Sequence, residues 1–147
     1  MLADNIELAL AALIIPVAGA AQIVTTKTAT DKAPPPVIIC TATIDGPEDP
    51  MGSGNFHVAV DVAIKTDAAP DDDTAVEAKA ASQALVEDVF GVIQVSDIAA
   101  KITEAGDDVT IFPGSVQFVA AESGRDPSGV WIDGLHFNCY ACGKTLT

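Results

Sequence analysis

From Phe56 to Lys65 the chain alternates with a period of two, with Phe56, Val58, Val60, Val62 and Ile64 on one side and His57, Ala59, Asp61, Ala63 and Lys65 on the other. Successive side chains of a strand point to opposite faces, so this stretch predicts a strand buried on one face only. Such a strand needs neighbours in a sheet and a second layer over its apolar side. The rest of the chain can be read as the supply of both.

Val37-Ile38-Ile39-Cys40-Thr41-Ala42-Thr43 predicts a second strand, β-branched through much of its length. Between the two lies Asp45-Gly46-Pro47-Glu48-Asp49-Pro50-Met51-Gly52-Ser53-Gly54, made almost wholly of turn-forming residues. The pair therefore reads as a hairpin whose long loop projects from the sheet. Val109 to Phe112 and Val116 to Ala121 are strands on either side of Pro113-Gly114, and Glu122 to Gly129 form a turn cluster. The last strand, Val130 to Ala141, sets Trp131, Asp133, Leu135, Phe137, Cys139 and Ala141 on one face. Ile132, Gly134, His136, Asn138, Tyr140 and Cys142 take the other.

The helices carry the other periodicity. Asp4 or Asn5 can cap a helix that begins near Ile6, with Ile6, Leu10, Leu13 and Ile14 at helical spacing and Pro16 as its end. A short β-like patch at Ile23 to Thr26 follows, then an extended polyproline segment, Lys32 to Pro36. Pro70-Asp71-Asp72-Asp73-Thr74 is an acidic helix start, favourable against the helix dipole. That helix is predicted from Thr74 to Phe90, closed by Gly91, with Val76, Ala80, Gln83, Ala84, Val86, Val89 and Phe90 on its apolar side. Ser96-Asp97 caps a shorter helix through Ile102, closed by Gly106.

The order predicts an α+β fold: an antiparallel sheet with a long-looped hairpin, packed on one face by two to three helices. Residues 1–36 form an N-terminal helix and an extended Pro-rich segment, and 37–147 a single α+β domain, in a chain of 147 residues. Aromatic residues are only 5% of the chain against 49% apolar residues, so the core must be built from Val, Ile, Leu and Ala.

Charge narrows the function classes. There are 21 Asp and Glu against 7 Lys and Arg, a formal net charge of −14. A basic footprint for gripping nucleic acid is absent, and an anionic lipid surface would repel the chain. Carboxylates lining a pore would instead let a phosphate backbone pass without sticking, although solubility alone also explains an acidic surface. Ile6 to Val24 is mostly apolar, but Asp4 and Glu7 stand where a secretory leader needs positive charge, and Pro16 and Gly19 interrupt the run. It reads as an interface-seeking helix rather than a leader or a membrane anchor.

No constellation reads as an active site. Cys139-Tyr140-Ala141-Cys142 is a CxxC, but it closes the last strand, and no helix follows to lower a thiol pKa by its dipole. As a zinc half-site it lacks a second pair, since Cys40 stands alone. An odd number of cysteines, 3, argues against a disulfide framework and for reduced thiols. His57 and His136 fall in strands that can lie close in a sheet, but with no placed carboxylate they specify no metal. Asp71, Asp72 and Asp73 lack the remaining ligands of a calcium loop and read as helix-capping acids. No G-x-S-x-G, G-x-G-x-x-G or Walker A pattern occurs. The chain is read as a non-enzyme without cofactor or metal.

The hairpin from Val37 to Lys65, the acidic-capped helix, the short second helix and a strand group ending in Gly129-Val130-Trp131-Ile132-Asp133-Gly134-Leu135-His136-Phe137-Asn138-Cys139 carry a resemblance. Over residues 37–142 the chain resembles the tail-terminator and neck (head–tail joining) proteins of tailed bacteriophages, in element order and length and in a final W-x-x-x-x-x-F strand. The Ala-rich first helix with Pro34-Pro35-Pro36 behind it departs from that pattern. The resemblance implies a virion protein, assembled in the host cytoplasm, that forms a homo-oligomeric ring, commonly a hexamer. Its partners would be the tail tube and the connector or neck, with DNA passing through the ring unbound and no membrane involved. The loop Asp45 to Gly54 becomes the candidate subunit interface, and Asp71, Asp72 and Asp73 the candidate channel-facing acids. Two other readings stand beside it: another phage morphogenetic protein (minor tail, tube or capsid decoration), and a small thiol-redox or metal-binding protein using Cys139 and Cys142.

Overall fold

The structure, a computed structural model, describes residues 2–19, 21–26, 36–47, 56–68, 72–125 and 130–143, with the backbone alone for the first turns of the long helix. The elements run α1 (Leu2–Ala18), β1 (Gln22–Thr25), β2 (Val37–Pro47), β3 (Phe56–Ala68), α2 (Asp72–Ile93), α3 (Ile98–Ala105), β4 (Thr110–Ile111), β5 (Gln117–Arg125) and β6 (Val130–Cys142). One sheet holds all the strands in the order β1-β2-β3-β6-β4, with β5 beside β4 on the same edge of β6. The fold is α+β, as the sequence predicts. The sheet is mixed rather than purely antiparallel, because β1 pairs with β2 in parallel, from Gln22 against Val37 to Thr25 against Cys40.

The alternating strand sits at the centre. β3 pairs with β2 on one side and β6 on the other, both antiparallel. Val58, Val60, Val62 and Ile64 are wholly buried, as are Leu135, Phe137, Cys139 and Ala141 of β6 to within 1%. Against this face α1 packs Leu2, Ile6, Leu10 and Ile14, α2 packs Val89 and Ile93, and α3 packs Ile98 and Ile102. Burying each such aliphatic side chain contributes roughly 1.5–3 kcal/mol, so this one interface dominates the fold's stability.

Several boundaries move once packing is counted. α1 begins at Leu2, a turn before the capping residues, because Leu2 is itself fully buried. It also runs through Pro16 to Ala18. Proline removes only the N–H that would bond Ala12, whose exposed position leaves its carbonyl to water. Gly19 then ends the helix with a positive φ of 59°. α2 continues past Gly91 to Ile93. A helical glycine costs about 1 kcal/mol, less than the roughly 1.5–3 kcal/mol from burying Ile93. Of the predicted apolar side of α2, Val89 is buried and Val86 and Phe90 half-buried, whereas Ala80, Gln83 and Ala84 are exposed; the side chain of Val76 lies outside the described residues.

The short helix and its surroundings follow the sequence closely. Asp97 occupies the N-cap position of α3 without a side-chain capping bond, and Gly106 closes the helix by donating its N–H to the Ile102 carbonyl at 2.8 Å. The Thr103 hydroxyl donates to the Ala99 carbonyl and accepts the Ile111 N–H, both at 2.9 Å, tying α3 to β4. Pro113-Gly114 forms the turn between β4 and β5, closed by the Ser115 N–H donating to the Phe112 carbonyl at 3.1 Å. β5 runs on to Arg125, so Glu122 to Arg125 belong to a strand rather than to the predicted turn cluster.

Candidate functional site: the uncovered face of the sheet

All three helices contribute to one face of the sheet. The alternation that buries one side of β3 and β6 necessarily gathers their polar residues on the other. Register then decides which of them meet. Asp61 lies opposite His136, and His57 opposite Tyr140. On the outer side of β6, the pairing of Glu122 with Gly134 brings that carboxylate beside His136.

His136 is thus held between two acids from different strands. Its Nδ1 contacts the Asp61 carboxylate, and its Nε2 stands 3.7 Å from Glu122 Oε2. The hydrogen bond to Asp61 is the main cause that raises the imidazole pKa above its ordinary 6.5, with partial desolvation opposing it and the charges of Asp61 and Glu122 adding to it. Both ring nitrogens face carboxylates, so the arrangement favours the imidazolium and leaves neither nitrogen free as a base. His136 and Glu122 also line a shallow hollow of about 350 Å³, together with Ala63, Gly124 and Gly134.

The second histidine has a similar setting at the other end of the strand. His57 Nδ1 lies 3.3 Å from Asp45 Oδ2 on β2, and its ring packs against Tyr140 with centroids 5.4 Å apart. The two histidines lie on one face, as the sequence reading allows, but four residues apart in register. Asp61 reaches His136 from a strand distant in the chain, whereas Asp45 and Glu122 come from the strands just before those that carry the rings they face. Among the described residues no three such side chains converge to hold a metal ion. In the His136 cluster the acids sit on opposite sides of one ring, where they bridge it and do not point to a common centre.

The cysteines are apart. Cys139 and Cys142 differ by an odd number of strand positions, so their side chains leave β6 on opposite faces. Cys139 is buried and desolvation pushes its thiol up to about 12. Cys40 is likewise pushed up to about 12, by burial first and by the nearby Glu7 carboxylate second. Both are protonated packing residues at neutral pH.

The candidate interface loop is only partly described. Asp45, Gly46 and Pro47 form the end of β2, with a register irregularity between Ile44 and Gly46, so they are strand and not loop. Glu48, Asp49, Pro50, Met51, Gly52, Ser53 and Gly54 lie outside the described residues, as do the polyproline residues before Pro36. Of the candidate channel acids, Asp71 lies outside them, while Asp72 and Asp73 open α2. No helix among the described residues is long and apolar enough to cross a membrane.

No family model and no curated protein matches the sequence. The fold is similar to that of a chain in a solved structure described as the virion of a native gene transfer agent (GTA) particle. The TM-score is 0.50 at 17% sequence identity, over 91% of this chain and 84% of that one. At that identity the likeness is one of fold.

Proposed function

We propose that this protein is a structural component of a phage-like virion, of the tail-terminator or neck type, working as a homo-oligomeric ring around a DNA channel. The observation that carries the reading is the fold shared, over 91% of this chain, with a component of a gene transfer agent virion. The element order and final strand that resemble tail-terminator and neck proteins favour the finer assignment. Charge supports the same role: at −14 the surface repels a phosphate backbone, which suits a conduit for DNA and not a binder of it. Asp71, Asp72 and Asp73 are the acids proposed to face the channel, and the segment Asp45 to Gly54 is proposed to reach a neighbouring component. Function here is assembly: main-chain pairing and apolar packing between subunits, without a chemical step.

The test is the absolute mass of the purified protein by light scattering across a concentration series, followed by negative-stain microscopy alone and with tail tubes. A discrete closed ring, free or capping the tubes, is the expected result. A monomer at every concentration that also leaves the tubes uncapped would overturn the reading.

A further inference from the structure

β5 lies at the edge of the sheet, and little fastens it there. Among the described strands it pairs with β6 alone. Every side chain from Gln117 to Gly124 is exposed, so burial of apolar surface does little to keep the strand in place. Between Phe118 and Ala120 the register slips by one residue, opposite Phe137 and His136. A bulge of this kind takes the extra residue, Val119, out of the ladder and interrupts it.

The two sides of the bulge are held differently. Before it, the Ser115 hydroxyl accepts the Tyr140 N–H at 3.1 Å, and the Phe118 ring lies against that of Phe137 with centroids 5.6 Å apart. Beyond it the described side chains are Ala120, Ala121, Glu122, Ser123 and Gly124, all short except Glu122. It is Glu122 that reaches across to β6, its Oε2 standing 3.7 Å from His136 Nε2.

That tie needs one particular proton. His136 Nδ1 is bonded to the Asp61 carboxylate, which is an acceptor, so Nδ1 carries a proton whenever that bond is made. A neutral imidazole has one N–H only. With its proton on Nδ1, the neutral ring turns a lone pair toward Glu122, and attraction gives way to repulsion. The imidazolium alone offers an N–H to each acid. Loss of the second proton therefore spares the bond to Asp61 and removes the tie to β5. The charged groups facing the ring are these two, Asp61 from β3 and Glu122 from β5. Its same-face neighbours on β6, Gly134 and Asn138, are uncharged, and the helices pack on the opposite face.

We infer that the second proton of His136 is a switch on the sheet edge, fastening residues 120–125 of β5 when present and letting them open more often when absent. The switch goes beyond the proposed assembly role and acts within the single chain. The ring's pKa is raised above its ordinary 6.5, so the edge is fastened below that pH and loosens as pH rises through the higher folded value. Each opening bares the edge of β6 that residues 120–125 had covered, from Trp131 to His136. Backbone groups on such an edge can pair with another strand.

Backbone amide exchange, followed by NMR alongside the imidazole titration and divided by the intrinsic rate at each pH, tests the switch. Protection of the β5 amides beyond the bulge should fall about two- to fivefold, the scale of an exposed ion pair, at the pH where His136 titrates. The amides before the bulge should not follow. Glu122→Gln alters a mostly exposed side chain and should leave the fold intact by circular dichroism. In that variant the step should vanish while His136 still titrates. Protection that stays flat across the titration overturns the switch, as does a fall shared equally by both halves of β5. A step that persists unchanged in Glu122→Gln overturns it too.

Discussion

Glu7 and Ala42, far apart in sequence, are joined directly: the Glu7 carboxylate accepts the Ala42 N–H through Oε2 at 3.0 Å. Its Oε1 accepts the Thr26 N–H at 2.7 Å, and Oε2 also accepts the Thr26 hydroxyl at 2.9 Å. β1 ends at Thr25, so β2 would otherwise present Ala42 to a strand that is no longer there. A side chain from α1, itself only 1% exposed, continues the ladder in its place. An acid that interrupts an apolar helix in the sequence is therefore the pin holding that helix to the sheet edge.

Replacing Glu7 tests the arrangement sharply. In Glu7→Gln one end of the side chain becomes an amide donor, and whichever way it turns, it faces either the Thr26 or the Ala42 N–H. One partly buried backbone donor is left without its acceptor, at a cost of about 1 kcal/mol. Glu7→Leu frees both and should be worse. Chemical denaturation of both variants against the unmodified chain measures the loss.

His136 should titrate above 6.5, and Asp61→Asn should bring it back toward that value, because the Asp61 hydrogen bond is the leading cause of its shift. The linkage sign follows from a raised folded-state pKa. The pair's contribution to stability is full below about 6.5, the unfolded value, and is lost as pH rises through the higher folded value. Solvent exposure makes the contribution small. Two-dimensional NMR of the imidazole, with Glu122→Gln giving the smaller shift, checks the order of causes.

The thiols should separate by reactivity. Cys40 and Cys139, buried and held at about 12, should resist an alkylating reagent at pH 8 until the protein unfolds. Cys142, half-exposed on the opposite face of β6, should label first. Mass spectrometry of native and denatured samples reads this directly, and a disulfide between Cys139 and Cys142 in the native protein would contradict it.

Gly143 closes β6 where the turn before β4 passes over it. A Cβ there would stand 2.6 Å from the Asp108 carbonyl oxygen, a backbone atom, and 3.4 Å from Leu2 Cδ1. Gly143→Ala should lower stability by about 1–3 kcal/mol through forced backbone movement, measurable as a drop in Tm.

Among the described residues, alternation, β-branched composition and helical spacing were enough to locate the helices and strands, because both periods record which side of an element is buried. The burial of Val58, Val60, Val62 and Ile64, and the start of β2 at Val37, were legible for that reason. Boundaries were not: Gly91 lies inside a helix because burying Ile93 outweighs a local preference worth about 1 kcal/mol, and Pro16 because the bond it removes is that to the exposed Ala12. The polar site was legible even less. Composition and pattern placed His57 and His136 in strands, but which carboxylate meets each ring depends on the register between paired strands, and for Asp61 and His136 those strands are distant in the chain. Only the assembled sheet sets Asp61 against His136 and Asp45 beside His57. The same holds for Glu7, and for the exposure of Leu8 and Ile15 on α1. Local sequence fixes a helix and its phase, but which of its sides the core leaves uncovered is decided by what packs against the others.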